Sequence, residues 1–412
     1  MLDDHLSSPV TRQRLRAGPA ADYIDDFAEW LHGRGYRPAT IKDLLYPLTA
    51  WTDWMRAADF TAHDVLPAFA TCKTQVERQQ HARYQRGVNR RSLTAASMYI
   101  RFLQEQGVVP PSVIAPAPSD RWPILGAFRS WMRQHRGLTE STLDAYQRVL
   151  LGFVEKLGED PGQYTAEALR TFVFERARPH GIYRAKSIVV AIRALLRFLG
   201  ATGQCSPGME HAIPGFASWQ ISSVPRFLVP DDVKRVIDSC GDDATGRRDR
   251  AVLLLLARLG LRASEVAGLV FADLDWENGR IAICGKGRRQ EWLPLPSEVG
   301  VAIQRYLEQS RPLLPAAQVF TTVLAPLRPL TRASVTHIVR SALRRAGINA
   351  PINGAHVLRH SAATAMLRQG ASLASVGAVL RHRSPRTTAH YAKVDFGLLS
   401  EIAQPWPEVS SC

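Results

Sequence analysis

Apolar residues recur every three or four positions through most of the first two hundred residues, a period that predicts helices with little strand. Tyr23, Phe27, Trp30 and Leu31 form one stripe, which Gly33 and Gly35 interrupt. Leu44, Leu48, Trp51 and Met55 form the next, with Thr40 as the expected N-cap. A third stripe, over 92–107, carries Leu93, Met98, Phe102 and Leu103. The run VVPPSVIAPAPSD over 108–120 cannot continue a helix, because each proline removes a donor and clashes with the preceding turn. Beyond it the pattern returns. Phe128, Trp131 and Met132 repeat Phe27, Trp30 and Leu31 at an offset of 101, and Thr142, Tyr146, Leu150, Phe153 and Leu157 follow at 102. Ile188, Ala191, Leu196, Arg197, Phe198, Leu199 and Gly203 sit 96 residues beyond Ser92, Ala95, Ile100, Arg101, Phe102, Leu103 and Gly107. The repetition predicts a duplicated helical domain.

From Phe227 the pattern becomes mixed. Pro230-Asp231-Asp232 opens a helix, and 247–259 predicts a second that is strongly apolar through AVLLLLA, ended by Gly260 as a C′ residue. A short helix starts over 261–265. Alternating residues predict strands at 270–274, 279–284 and 290–295, with Gly285-Lys286-Gly287 as the turn between the last two. Helical spacing resumes from Thr331 to about residue 400. These patterns divide the chain into a tail (1–19), a helical domain (20–107), a Pro-rich linker (108–120), a second helical domain (121–205), a linker (206–226) and a C-terminal domain (227–412).

Charge narrows the partner. A net charge of +15 and a pI near 10.0 favour a polyanion, since phosphate neutralisation releases condensed counterions. The excess is +9 after residue 224 and +6 before it, so both halves are basic. Forty-five of the 52 basic residues are arginine, which suits bidentate phosphate contacts. The five cysteines are scattered and never spaced C-x-x-C, which argues against a disulfide framework or zinc ribbon. The N-terminus lacks an apolar signal region, and the longest apolar run, 251–257, is far too short to span a membrane. The expectation is a soluble, cytoplasmic, nucleoid-associated protein.

Candidate chemistry concentrates in Gly354 to Lys393. On a helix, His356 and Arg359 stand at i and i+3 and share a face, a polar and potentially cationic pair suited to a phosphodiester. A tyrosine nearby, Tyr391, can serve as a nucleophile. Four motifs extend this set: Leu259-Gly260-Leu261-Arg262-Ala263-Ser264-Glu265, Gly285-Lys286-Gly287, His356-Val357-Leu358-Arg359-His360, and Leu380-Arg381-His382 followed by Thr387-Thr388-Ala389-His390-Tyr391. Their order and spacing resemble the tyrosine recombinase, or phage integrase, family over about 225–395.

The resemblance implies roles. Arg262 and Arg359 clamp the non-bridging oxygens through fixed N–H forks. Tyr391 attacks phosphorus, giving a 3′-phosphotyrosyl link and a free 5′-hydroxyl. Lys286 protonates the leaving oxygen, a task open to lysine because its pKa can fall near other cations. His356 is general base or hydrogen-bond partner of the tyrosine, and His382 donates to a non-bridging oxygen. Glu265 either orients a catalytic group or serves as a first-turn helix charge, and His360 is a structural neighbour. One position departs from the family, which usually has glycine where this chain has Arg381. No acidic cluster, H-x-E or C-x-x-C accompanies the histidines, so neither metal nor other cofactor is expected.

The expected fold is mainly α with a small β-sheet: a C-terminal α+β catalytic domain behind two helical, SAM-like DNA-binding domains. The expected function is site-specific cleavage and rejoining of double-stranded DNA by an integrase- or transposase-like enzyme, without metal or ATP. The family implies a tetramer on DNA, with Leu398, Leu399 and Ile402 in a segment exchanged between subunits. Type IB topoisomerase-like relaxation and a non-catalytic architectural DNA-binding protein are the alternatives.

Overall fold

The structure, a computed structural model, describes residues 2–19, 21–61, 64–78, 88–110, 118–217, 226–284, 290–382 and 384–394. Lys286, most of the Pro-rich linker, part of the second linker and the segment holding Leu398, Leu399 and Ile402 lie outside the described residues. Pro110–Gln220 makes one compact unit and the rest of the chain another.

The N-terminal helices are α1 (Leu2–His5), α2 (Pro9–Arg16), α3 (Ile24–Gly33), α4 (Pro38–Ala57), α5 (Val65–Arg78) and α6 (Arg90–Glu105). The first residues are not a tail. Leu2, Leu6 and Leu15 are buried in the same core as Phe27, Leu48 and Trp51, and the apolar surface they hide ties the first residues to the helices that follow. Thr40 does not cap α4, which begins two residues earlier. Pro38 occupies its first turn, where a missing N–H costs nothing, and Arg37 stands at the N-cap.

The helices that follow are α7 (Pro118–Arg121), α8 (Pro123–Arg136), α9 (Glu140–Leu157), α10 (Ala166–Ala177) and α11 (Ile182–Ala201). Helices α8 to α11 enclose a core of their own, centred on Phe128, Leu150, Phe153, Ile192 and Leu195. Phe128 and Trp131 lie 5.8 and 5.7 Å from Phe198, ring centre to ring centre. Their sequence counterparts Phe27 and Trp30 lie 5.5 and 5.7 Å from Phe102. Equivalent rings meet equivalent rings in both helical sets.

The C-terminal part is built around α13 (Ala244–Arg258), preceded by α12 (Pro230–Asp238). Asp243 caps α13, accepting from the Gly246 N–H at 3.0 Å, and Ala251 to Leu256 are fully buried, so this part of the helix is apolar on every face. Helix α14 (Ala263–Gly268) follows, then an antiparallel sheet of β1 (Leu274–Asp275), β2 (Arg280–Cys284) and β3 (Gln290–Pro294) in sequence order. Ile281 pairs with Leu274 on one side and Leu293 on the other. The first strand is shorter than its pattern predicts. Phe271–Asp273 turn as a 3₁₀ segment instead, closed by the Asp273 carboxylate accepting from the Val270 N–H. Helices α15 (Ser297–Gln309), α16 (Arg332–Arg345) and α17 (His356–Arg368) complete this core. Then α18 (Leu373–Val379), α19 (Pro385–Thr388) and a 3₁₀ turn over Ala389–Val394 form a small separate cluster in which Leu367, Val376, Leu380 and Tyr391 are buried. No helix among the described residues is long and apolar enough to cross a membrane.

Candidate active site

Three chain turns converge on one point. The first is the end of α13. Gly260 sits at φ +59, and a Cβ there would lie 2.5 Å from Leu380 Cδ2, so both backbone and space demand glycine. This lets Arg262 begin α14 at the N-cap. Glu265, in the first turn of that helix, accepts from the Arg262 backbone N–H at 2.7 Å and from Arg262 Nη1 at 2.6 Å. The carboxylate half of a capping box thus also holds the guanidinium.

The second is α17, which carries its functional residues in its first turn and a half. Arg359 is 3% exposed, with its guanidinium donating from Nη1 to the Gly260 carbonyl and from Nη2 to the Leu380 carbonyl. It therefore ties the end of α13 to the end of α18. Burial and the nearby Arg262 charge pull its pKa below the ordinary guanidinium value, yet leave it protonated at neutral pH. His356 lies one turn earlier at the surface, its ring stacked on His360 with centres 5.8 Å apart. Burial of its surroundings and the charges of Arg359, Arg332 and Arg262 lower its pKa.

The third is the end of α18. The His382 N–H donates to the Gly377 carbonyl and the Arg381 N–H to the Ala378 carbonyl, both at 2.9 Å, which is a Schellman closure with Arg381 at C′. That slot requires a left-handed backbone, and Arg381 adopts φ +54. Arg381 thus fills a slot that suits glycine without loss of the turn, at a conformational cost of about 1–2 kcal/mol. The Arg381 guanidinium folds inward, donating from Nη2 to Glu265 Oε2 at 2.8 Å and from Nη1 to the Val379 carbonyl at 3.0 Å. Burial drives Glu265 upward, but the Arg262 N–H and the charges of Arg381 and Arg262 outweigh it and hold the carboxyl below its usual range.

Tyr391 is 3% exposed and its hydroxyl pairs with His360 Nδ1 at 2.6 Å. Of the two roles expected for His356, general base or hydrogen-bond partner of the tyrosine, the structure gives the hydrogen bond to His360 instead. The two histidines are one turn apart on the same face of α17, and the 3₁₀ turn brings Tyr391 to the second. Burial pushes the phenol up to about 12, with Arg359 pulling the other way. Burial, then His356 and His390, push His360 down to about 4. His382 is also lowered to about 4 by burial and by Arg359, Arg262 and Arg381. Its Nδ1 shares a hydrogen bond with the Thr388 hydroxyl at 2.8 Å, and its ring lies parallel to that of Tyr391, centres 6.3 Å apart.

The structure thus brings together Arg262, Glu265, His356, Arg359, His360, His382 and Tyr391, while Lys286 falls outside the described residues. Sequence reasoning missed Thr388, which holds His382, and His390, whose ring lies 6.0 Å from that of Tyr391. Both stand inside the last motif, but only packing reveals their contacts. Among the described residues no three His, Cys, Asp or Glu side chains gather as a metal site.

The profile of the phage integrase family matches residues 226–397. A putative integrase/recombinase of Sinorhizobium fredii, y4rA, is 36% identical over 409 residues, covering 98% of each chain. The tyrosine recombinase XerD of Listeria monocytogenes is 30% identical over 284 residues, 66% of this chain and 94% of that one. A XerH site-specific recombinase bound to a palindromic difH substrate in a post-cleavage complex shares the fold, with a TM-score of 0.55 at 21% identity over 69% of this chain and 85% of that one.

Proposed function

Because this chain belongs to the phage integrase family of tyrosine recombinases, we propose that Tyr391 is the nucleophile of a site-specific DNA cleavage and rejoining reaction. The observation that carries this reading is the 2.6 Å contact between the Tyr391 hydroxyl and His360 Nδ1, made beside the guanidinium of Arg359. With His360 neutral and its proton on Nε2, the phenol donates to Nδ1. As Tyr391 Oη bonds to phosphorus, its proton passes to His360, and the bond from phosphorus to the 5′-oxygen breaks. An arriving phosphodiester raises His360 and offsets the burial that lowers it, so proton transfer becomes easier when substrate is present. Arg262 and Arg359 stabilise the charge that builds on the non-bridging oxygens. His382, with Nδ1 engaged by Thr388, offers Nε2 to the same phosphate. Lys286 supplies the proton taken up by the leaving 5′-oxygen. Bond energy is retained in the phosphotyrosyl link, so rejoining needs no ATP.

We assign the partner as double-stranded DNA. XerH bound to difH, and the lambda integrase dimer bound to its core site, support that assignment as relatives in fold. The protein acts as a tetramer on two duplexes, working at the nucleoid, with 227–412 as catalytic domain and 121–205 and 20–107 as DNA-facing helical modules. The matched ring contacts of the two helical sets support their origin by duplication.

The test is a nicked suicide substrate carrying the target site. Wild type forms a covalent adduct that survives denaturant, and Tyr391→Phe forms none while binding the same DNA. His360→Phe binds normally but forms adduct roughly 100-fold more slowly, the ordinary share of a proton acceptor. A wild-type protein that binds its site and never forms an adduct refutes the reading.

A further inference from the structure

We propose that Arg381 is a positioning residue of the cleavage reaction: it shares the Glu265 carboxylate with Arg262 and so preserves the positive charge of the phosphate clamp while setting the backbone of His382. The proposal rests on the phosphotyrosyl reading of this site.

The first observation is conformational. Only Asp59 and Arg381 have positive φ among the described non-glycine residues, and Arg381 occupies a Schellman C′ slot that glycine fills with least strain. An arginine used only for surface charge would extend into water. This one turns inward, and its side chain is 3% exposed against 5% for Glu265. Its Nε is buried with no hydrogen-bond partner among the described residues, a further burden the chain carries to keep the group in place.

The second observation is electrostatic. Glu265 Oε1 receives Arg262 Nη1 at 2.6 Å, while Oε2 receives both the Arg262 N–H at 2.7 Å and Arg381 Nη2 at 2.8 Å. One carboxylate therefore faces two guanidiniums. With Arg359 included, the site keeps more positive charge than the carboxylate neutralises. Remove Arg381, and the whole Glu265 charge falls on Arg262, weakening its attraction for a phosphate oxygen in a site where charges are poorly screened.

The third is geometric. The Arg381 carbonyl faces Arg262 Nη2 at 3.4 Å, the preceding carbonyl of Leu380 accepts from Arg359, and the next residue is His382. A single strained residue thus touches the settings of three groups of the site.

The test is a cycle of Arg381→Gly, Glu265→Gln and the double variant, reading DNA affinity and the rate of covalent adduct formation on the suicide substrate. Glycine suits φ +54, so the backbone turn is kept. Arg381→Gly is expected to bind within about threefold of wild type but to cleave roughly 10- to 100-fold more slowly, the scale of a misplaced or attenuated clamp. Adding Glu265→Gln removes the excess carboxylate charge, and the double variant is expected to cleave at least about threefold faster than Arg381→Gly. A strut that merely holds the fold predicts the reverse, a double variant as slow or slower. Arg381→Asn removes the charge and tolerates the left-handed backbone, so it should also cleave more slowly than wild type, which gives the same answer should the glycine variant fail to fold. Wild-type cleavage by Arg381→Gly, or by Arg381→Asn in its place, overturns the proposal, as does a double variant no faster than the single. Absence of any wild-type adduct instead overturns the phosphotyrosyl reading, and the role of Arg381 with it.

Discussion

His360 and His382 sit where a proton is hard to hold, because both are partly buried among guanidiniums and other imidazoles. Their pKa values are near 4 in the folded chain against 6.5 when exposed, so between those pH values the unfolded chain binds protons that the folded one does not. Stability from these groups is fully present above pH 6.5 and declines as pH falls toward 4. The urea midpoint at pH 5 should therefore lie below that at pH 7.5, and the gap should narrow in a His360→Asn/His382→Asn variant. An unchanged gap would mean other groups govern acid unfolding. The residue types were readable from the motifs, but their partners were not. His356 and His360 share one face of α17, and the side that Tyr391 approaches is decided by a 3₁₀ turn 30 residues later.

Turns rather than helix bodies carry the precision at the next scale. Gly260 and Gly347 both have φ near +60, but a Cβ at Gly260 would lie 2.5 Å from Leu380 Cδ2 and one at Gly347 would meet nothing among the described residues within 4 Å. Alanine at Gly347 should therefore cost only the left-handed strain, about 1–2 kcal/mol. At Gly260 overpacking adds about 1–3 kcal/mol to that strain. It would also displace the carbonyl that Arg359 uses. Denaturant unfolding of the two variants separates the terms, and equal losses would show that backbone strain alone matters. The apolar run of α13 was legible because its periodicity reflects complete burial. The span 270–274 was not, since its alternation suits a strand while Asp273 closes a local turn that competes with it.

Across the whole molecule, charge sets the range and strength of association. With a net +15 and arginine dominant, DNA binding should be steeply salt-dependent. If the protein contacts six to ten phosphates, affinity for a duplex site should fall roughly 1,000-fold or more between about 50 and 200 mM salt. A fluorescence-anisotropy titration measures the slope, and a flat profile would contradict a backbone-dominated interface. Burial of Leu2, Leu6 and Leu15 also places the first residues in the N-terminal core, although their polar neighbours hid this in the sequence.

The sequence by itself determined which residue types the site contains, the order in which they arrive and the helical, basic character of the chain, because these follow from local periodicity, spacing and composition. Tertiary structure alone decided who touches whom. It put His360 rather than His356 on Tyr391, made Thr388 the support of His382, and turned Arg381 inward onto Glu265. Those contacts join residues 6 to 116 positions apart, and no local pattern encodes the packing that closes such distances.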